Sequence, residues 1–350
     1  MDSSMHSKQS SEESSRGRNK RKENIFTRAI PAPPLASQDD DDDDDEDDAD
    51  GNIYRFLASG KWKELYQTLV IMNDQDPNYL KELLSATTGE RQSTILQTAV
   101  CIAPVALSKF IVDLTPVASY MYRDNDGNTA LHLCCANLEA SYNGKLDLSA
   151  LRELVHAAPR ALQVQNDQGD TPLHLLMASA ACTTPTSDFS LEAAAEAAVS
   201  LLIEASVEAA IIQDNSGATP LHVAISHKAH ERCVIRLLEV APVAAKVMDE
   251  KGMLALHYVG AFGASQGAVL RLVNAHPEAI AQKTNCGDTP LHLLVSNYPA
   301  DDGSVKLDRN STKMIELLMG MGQEDEGEPS PIETGAQTSP VMIVNDEKVR

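Results

Sequence analysis

A nine-residue pattern that returns five times constrains the fold of this 350-residue chain more than any other feature. Every copy has Gly at its fourth position, Thr or Leu at its sixth, and Leu-His at its end. We number the copies 1 to 5 in chain order, and they begin at Asp124, Asn166, Asp214, Asp249 and Thr284. Their closing histidines are 42, 48, 35 and 35 residues apart. Such a recurrence is the signature of one structural unit stacked many times.

A weaker copy precedes copy 1. Counting 35 residues back from His132 reaches Gln97, in the segment Ser93-Thr-Ile-Leu-Gln97, which keeps the Thr and the Leu of the pattern. The array is therefore predicted to begin before its first clear copy.

The residue types of the pattern predict the local structure. Glycine suits a tight turn with positive φ, and the Asp or Asn three residues earlier can hydrogen-bond the turn backbone. Thr followed by Pro is typical of a helix N-cap with proline at the first helical position. An apolar helix, a connection and an amphipathic second helix follow, and that second helix ends near Pro116, Pro159, Pro242 or Pro277, or near Ser206 in the third interval.

One unit of this kind cannot bury its apolar faces alone, whereas stacked neighbours can. The pattern resembles the ankyrin repeat, and the proline after the second helix is similar to divergent ankyrin arrays of some algal proteins. The resemblance implies an all-α ankyrin-repeat solenoid of about six to seven helix-turn-helix repeats, with short hairpin-like turns between repeats. By the same resemblance, 52–70 looks like an N-terminal repeat or cap, with a turn at Gly60.

The expected organisation has three parts. Residues 1–50 form a disordered tail with a basic stretch and an acidic run, 51–320 form the array, and 321–350 form a disordered acidic tail. Within the array the copies are weak over 52–119 and clear over 120–320. The longer intervals predict insertions near 139–147, 181–189 and 297–310, each between the two helices of its repeat.

One departure from the pattern weakens a helix cap, and the overall charge restricts the kinds of partner that are expected. Leu254 stands where Thr is expected, which predicts the loss of a helix cap worth about 1 kcal/mol. A formal net charge of -22 and a pI near 4.7 argue against direct nucleic-acid binding, which depends on a basic surface. No apolar run has the length that a membrane span needs, and the N-terminus has no signal-peptide pattern. We expect a cytoplasmic protein, with nuclear entry open if Arg16–Lys22 acts as a localisation signal.

Chemistry at a metal or catalytic site is not expected. The motif histidines recur about one repeat apart, roughly 10 Å in stacked helices, too far to share a zinc ion whose ligands lie near 2 Å. The six cysteines form no CxxC pair, and neither a G-x-S-x-G nor an H-E-x-x-H pattern occurs. The prediction is a non-enzymatic protein without a cofactor or metal.

The resemblance implies a protein-binding role through the turn tips and the concave face made by the first helices. The tip residues are Asn125, Asp126, Asn128, Asp167, Gln168, Asp170, Asn215, Ser216, Ala218, Glu250, Lys251, Met253, Asn285, Cys286 and Asp288. The adjoining helix positions are Asn137, Ser179, His227, Phe262 and Asn297. Because the tip row is polar and on balance acidic, the expected partner is a protein with a basic or mixed-charge patch.

A second function of another class remains open. The acidic run over 39–50 cannot fold by itself, because like charges repel and nothing apolar is available to bury. It is either a solvating linker or the binding element of a nuclear regulatory or histone-binding factor. In the second case the repeats would only present the run.

Overall fold

The computed structural model describes residues 49–88, 92–138, 148–183, 189–296, 312, 315 and 316. That part of the chain contains fifteen α-helices and one β-hairpin whose two strands have two residues each. The first helices are α1 (Ala49–Ser59), α2 (Trp62–Gln75), α3 (Pro77–Ser85), α4 (Ile95–Ile102) and α5 (Val105–Leu114), with strands β1 (Thr87–Thr88) and β2 (Ser93–Thr94) before α4.

The clear copies supply the remaining helices. They are α6 (Ala130–Ala136), α7 (Ser149–Ala157), α8 (Pro172–Ala178), α9 (Ala180–Thr183), α10 (Phe189–Ala205), α11 (Pro220–Ser226), α12 (Glu231–Val240), α13 (Ala255–Phe262), α14 (Gln266–Ala275) and α15 (Pro290–Ser296). Short 3₁₀ turns follow the second helices, at Val117–Met121, Pro159–Gln163, Val207–Ala210, Pro242–Lys246 and Pro277–Ile280.

Successive units stack in register. First helices pack on first helices, in the order α4, α6, α8, α11, α13 and α15, and second helices pack in the order α5, α7, α10, α12 and α14. The buried side chains form one continuous apolar core from Ile53 to Leu294. The all-α repeat solenoid predicted from the sequence is confirmed. The described residues contain six helix pairs, α1 with α2 being the first, and the first helix of a seventh unit.

The first residue of each copy organises its turn. Oδ1 of Asp124 accepts the backbone N–H groups of Asp126 and Asn128, at 3.0 and 2.7 Å. Copies 2, 3 and 4 repeat the arrangement, and in copy 5 the Oγ1 of Thr284 takes the same place at 3.3 and 3.2 Å. The first side chain of each copy therefore stabilises the turn through hydrogen bonds within that copy.

The glycines meet two demands at once. Gly217 has φ of +75°, a conformation that side chains with a Cβ rarely adopt. A Cβ built there would also lie 2.6 Å from the backbone nitrogen of Glu250 in the next copy. Glycine is thus required by the turn and by the approach of the neighbouring turn.

The closing histidines of copies 1 to 4 bond towards the next copy. Nδ1 of His132 accepts the N–H of Thr129 at 3.1 Å, and Nε2 donates to the carbonyl of Asp170 at 3.0 Å. Since an N–H can only donate and a carbonyl can only accept, the ring is the neutral Nε2–H tautomer. His174 and His222 make the same pair of bonds, whereas Nε2 of His257 donates to the carbonyl of Gln282, two residues before copy 5.

Gln97 performs this task in the weak copy. Its Oε1 accepts the N–H of Thr94 at 2.8 Å, and its Nε2 donates to the carbonyls of Tyr122 and Asn128 at 3.2 and 2.8 Å. The weak copy that the spacing predicted therefore makes the same kinds of hydrogen bond as the clear copies. An amide can replace the imidazole because it also offers one acceptor and one donor.

Leu254 in place of threonine keeps the backbone hydrogen bond of the helix cap and loses the hydroxyl contact. Its backbone N–H still donates to Nδ1 of His257 at 3.0 Å, as the threonines do. The threonine hydroxyl that lies 2.9 Å from Nδ1 in copies 1 and 2 has no counterpart here, and the leucine side chain is fully buried.

Proline acts as predicted at the ends of the second helices, with one addition. After α7, α12 and α14 the proline does not merely stop the helix; it opens the following 3₁₀ turn as its first residue. At the N-terminal pair, Gly60 has φ of +68° between α1 and α2, where the turn was expected.

Other expectations fall on residues outside the described part. These are the tails, the insertions at 139–147 and 297–310, and the middle of 181–189. The first two expected insertions have the two helices of their repeats on either side, α6 with α7 and α8 with α10. The limits of the array at 51 and 320 stay a prediction.

Gly217→Ala should destabilise the fold by roughly 2–4 kcal/mol, because it adds a clash with the next turn to the strain of positive φ. Gly287→Ala is the matched control: φ is +88°, but no heavy atom of the described residues lies within 4 Å of its built Cβ. It should cost only the strain, about 1–2 kcal/mol. Urea unfolding measures both, and equal losses would contradict the close-approach argument.

The buried histidines should make the fold acid-sensitive. Burial lowers the pKa of His132, His174 and His222 to about 4. As pH falls from about 6.5 towards 4, the unfolded chain takes up protons that the folded chain refuses, so stability is lost over that window. Each histidine adds up to about 1.4 kcal/mol per pH unit to the slope.

His174→Gln, which places in copy 2 the residue that the weak copy has at Gln97, tests this origin of the slope. The variant keeps a donor and an acceptor but does not titrate, so its unfolding free energy should fall less steeply than that of the wild type between pH 6.5 and 4.5. Urea titrations at a series of pH values provide the measurement. The same change at His156, exposed on α7, is the matched control for the substitution itself. An unaltered slope in His174→Gln would show that this ring is not held neutral.

Candidate protein-binding surface

The turn tips form one continuous row held by backbone hydrogen bonds. The N–H of Asp167 donates to the carbonyl of Asp126 at 3.1 Å, and that of Asn215 to Gln168 at 3.1 Å. The row continues from Glu250 to Ser216 at 3.1 Å and from Asn285 to Lys251 at 3.0 Å. Each bond joins one copy to the next, so the tips of all five copies are positioned relative to one another.

Side-chain amides reinforce the row. Nδ2 of Asn215 donates to the carbonyl of Asp167 at 2.9 Å, and Nδ2 of Asn285 to that of Glu250 at 3.0 Å. Gln165 and Gln213 each bridge the carbonyl of their own turn glycine and a carbonyl of the next copy, at 2.6–2.9 Å. The surface is therefore pre-organised, which lowers the entropy that a binding partner must overcome.

Sequence reasoning missed the residue four places before each turn glycine. This position holds Arg123 in copy 1, Gln165 in copy 2 and Gln213 in copy 3. Nε of Arg123 donates to the carbonyl of Gly127 at 3.1 Å, and its Nη2 lies 3.2 Å from Oδ1 of Asp167. The repeated occurrence of long polar side chains at this fixed offset was the signal that could have identified the position.

Most of the expected tip residues do reach the surface. Those that are exposed are Asn125, Asp126, Asp167, Gln168, Asn215, Glu250, Lys251, Asn285 and Cys286, and those that are half-buried are Asn128, Ser216, Met253 and Asp288. Four carboxylates and one ammonium group belong to these thirteen residues, so the accessible row is acidic.

Two residues expected at the tips need correction. Asp170 and Ala218 are only 8% and 5% exposed. Their carbonyls accept the Nε2–H groups of His132 and His174, as the carbonyl of Met253 accepts that of His222, so the low exposure of the side chains is what sets Asp170 and Ala218 apart. Their side chains are therefore not available to a partner, and a charge reversal at Asp170 would test the joint rather than the surface.

The adjoining helix positions divide in the same way. Asn137, His227 and Phe262 are exposed at the ends of α6, α11 and α13. Ser179 was expected beside them but is fully buried, with its hydroxyl donating to the carbonyl of Leu176 at 2.7 Å. The insertion helix α9 begins at the next residue and packs on α8, which accounts for the difference. Asn297 lies outside the described residues.

The described ranges contain neither a metal-binding cluster nor a membrane-spanning helix. Across the described ranges, no group of three or more His, Cys, Asp or Glu side chains is arranged to hold a metal ion. No helix in the same ranges has the length and apolar character required to cross a bilayer.

Comparison with known families agrees with the geometry. The family model for the ankyrin repeat matches residues 216–246, which contain Ser216 and Ala218 of the copy 3 tip, α11, α12 and the 3₁₀ turn after them. This match identifies an ankyrin repeat in the chain. No curated protein matches the sequence of the chain. The other copies share the turn bonds of the matched one, and ankyrin repeats are protein–protein interaction modules.

The tip row carries a cysteine that should react before the other thiols. Cys286 is exposed, whereas Cys134, Cys135, Cys182 and Cys233 are buried. Burial raises the pKa of Cys134 to about 12 and that of Cys135 as well, and a hydrogen bond with Cys182 together with burial raises the pKa of Cys233, which suppresses the reactive thiolates.

We expect Ellman's reagent to modify Cys286 first in the folded protein and the four buried thiols only after unfolding. Half-buried Cys101 should react at an intermediate rate. Cys286→Ser should remove the fast phase. Rapid modification of Cys135 in the native protein, located by mass spectrometry, would contradict the packing of α6.

Proposed function

We propose that this ankyrin-repeat protein is a non-enzymatic scaffold or adaptor that binds a protein partner through its turn tips and concave helical face. The observation that carries the proposal is the unbroken backbone ladder between tips, which presents thirteen accessible residues, most of them polar or charged, on a fixed framework. Many weak contacts on a rigid row can combine into specific binding, because little ordering remains to be done on association.

The acidic character of the row favours a partner with a basic or mixed-charge patch. Among the accessible tip residues, Asp126, Asp167, Glu250 and Asp288 are negative and Lys251 is positive. Exposed charges of this kind raise the association rate and the specificity more than the affinity. We place the protein in the cytoplasm, and in the nucleus if Arg16–Lys22 acts as an import signal. No cofactor is required for this role.

The acidic run over 39–50 supplies the competing function, a nuclear regulatory or histone-binding factor. The run lies almost wholly outside the described residues, so it stays a prediction from composition. The two functions differ in which charges hold the partner, and substitution can separate them.

Making three tip positions basic should strongly reduce partner recovery. We expect the full chain carrying Asp126→Lys, Gln168→Lys and Glu250→Lys to lose at least tenfold of the partners that the wild type recovers from lysate. The physical reason is repulsion of a basic patch from three exposed positions in copies 1, 2 and 4. Quantitative mass spectrometry of pull-downs at about 0.15 M salt measures the loss.

Two controls make the result interpretable. Far-UV circular dichroism should show the same helix content in the variant, because the three side chains are exposed. A second variant, with the acids of 39–50 changed to their amides, should retain the partners. If the tip variant keeps its partners and the amide variant loses them, the acidic run is the binding element and the proposed function is wrong.

A further inference from the structure

Copy 4 places large apolar side chains where the other copies do not. Directly after the turn glycine it has Met253, where the other copies have Asn128, Asp170, Ala218 and Asp288. Five residues after the motif histidine it has Phe262, where copies 1, 2, 3 and 5 have Asn, Ser, His and Asn. Between them, next to the histidine, Tyr258 replaces the Leu or Val of the other copies.

Hydrogen bonds and ring contacts join these three residues into one surface. The buried Asp249 carboxylate accepts the N–H of Met253 through Oδ1 at 2.8 Å and the hydroxyl of Tyr258 through Oδ2 at 3.0 Å. The rings of Tyr258 and Phe262 lie one helical turn apart, with centroids separated by 5.7 Å. Met253, Tyr258 and Phe262 therefore lie in order from the tip of copy 4 to the end of α13. We refer to them as the copy 4 aromatic patch.

The fold does not account for the exposure of this patch. The face of α13 that packs on α15 is marked by Gly260, where a Cβ would lie 2.3 Å from the carbonyl of Pro290. Phe262 is on a different part of the helix and remains 39% exposed. Tyr258 is held in place by its hydrogen bond to Asp249 and by an edge-on contact with the ring of His222, whose centroid lies 4.8 Å from that of Tyr258. A pinned tyrosine beside an exposed phenylalanine has the character of a binding hot spot.

Acidic groups lie on the tip row to which Met253 belongs. Glu250 is exposed on the tip of the same copy, and Asp288 occupies, one repeat away, the position that Met253 has in copy 4. A peptide segment that covers the rings and continues along Met253 to the tip would thus meet negative charge. Lys and Arg suit such a segment, since their apolar stems can lie along the rings while the charged group reaches a carboxylate.

We propose that the copy 4 aromatic patch binds a linear segment of the partner protein that has an aliphatic or aromatic anchor next to a lysine or arginine. The proposal rests on the scaffold function above and specifies the partner's chemistry. The anchor packs on Tyr258 and Phe262, Met253 adapts to its shape, and the cation pairs with Asp288 or Glu250.

A random dodecapeptide library displayed on phage and selected on the full chain tests the proposal. We expect the enriched peptides to share an apolar residue within three positions of Lys or Arg. The strongest peptide, synthesised with a fluorescent label, is then titrated against variants by anisotropy. Met253→Asn and Phe262→Asn, which install residues that other copies carry at these positions, should each weaken binding at least about tenfold.

Matched variants separate the patch from general effects. Leu270→Ala removes an equally exposed apolar side chain from α14 of the same repeat and should change the affinity less than twofold. Asp288→Asn should weaken binding of the cationic peptide and reduce its dependence on salt. Circular dichroism confirms that each variant is folded.

Several results would overturn the proposal. Enriched peptides without the anchor and cation, or binding that is insensitive to Phe262→Asn, would show that the patch is not the site. Peptide binding that appears only after removal of 321–350 would make the chain's own tail the occupant, and a wild-type dimer that Phe262→Asn dissociates would make it a second copy. Because Met253→Asn and Phe262→Asn leave the tip charges unchanged, these outcomes are independent of the tip-reversal test of the scaffold function.

Discussion

The bond from a buried imidazole to the next repeat is the interaction on which the rest of the structure depends. His132, His174 and His222 each accept from the N-cap of their own helix and donate to the following copy, so the same ring closes one unit and positions another. Gln97 shows that the geometry, and not the imidazole itself, is required. With this joint in place the turn glycines can come close to the next backbone, and the ladder between tips follows from it.

Contact with the next copy separates the residues of each copy that are buried in the fold from those that a partner can reach. Asp170 and Ala218 show how narrow that division is, because one position beyond the turn glycine the side chain already lies between copies. At the same position copy 4 has the half-exposed Met253, the beginning of a surface that continues to Phe262. Repeats with a common framework therefore acquire different surfaces by changes at very few positions.

Local chemistry explains why much of the array could be predicted. The turn, the cap and the first helix depend on residues within nine positions of each other, and such short-range requirements leave a visible pattern. Spacing alone was sufficient to find Gln97, since an amide and an imidazole satisfy the same donor and acceptor. The long polar residues at Arg123, Gln165 and Gln213 escaped notice because their targets are backbone carbonyls of their own turn and the next copy, which carry no sequence signal.

The sequence by itself determined the repeat unit, the number of clear copies, the stacked all-α fold and the row in which the tips lie. Only the tertiary structure decided which tip side chains are accessible, because burial depends on the neighbouring copy and on the insertion helix that covers Ser179. It also decided that Met253, Tyr258 and Phe262 form one surface, since Asp249 and the helical turn of α13 bring together residues that sequence comparison treats as separate departures.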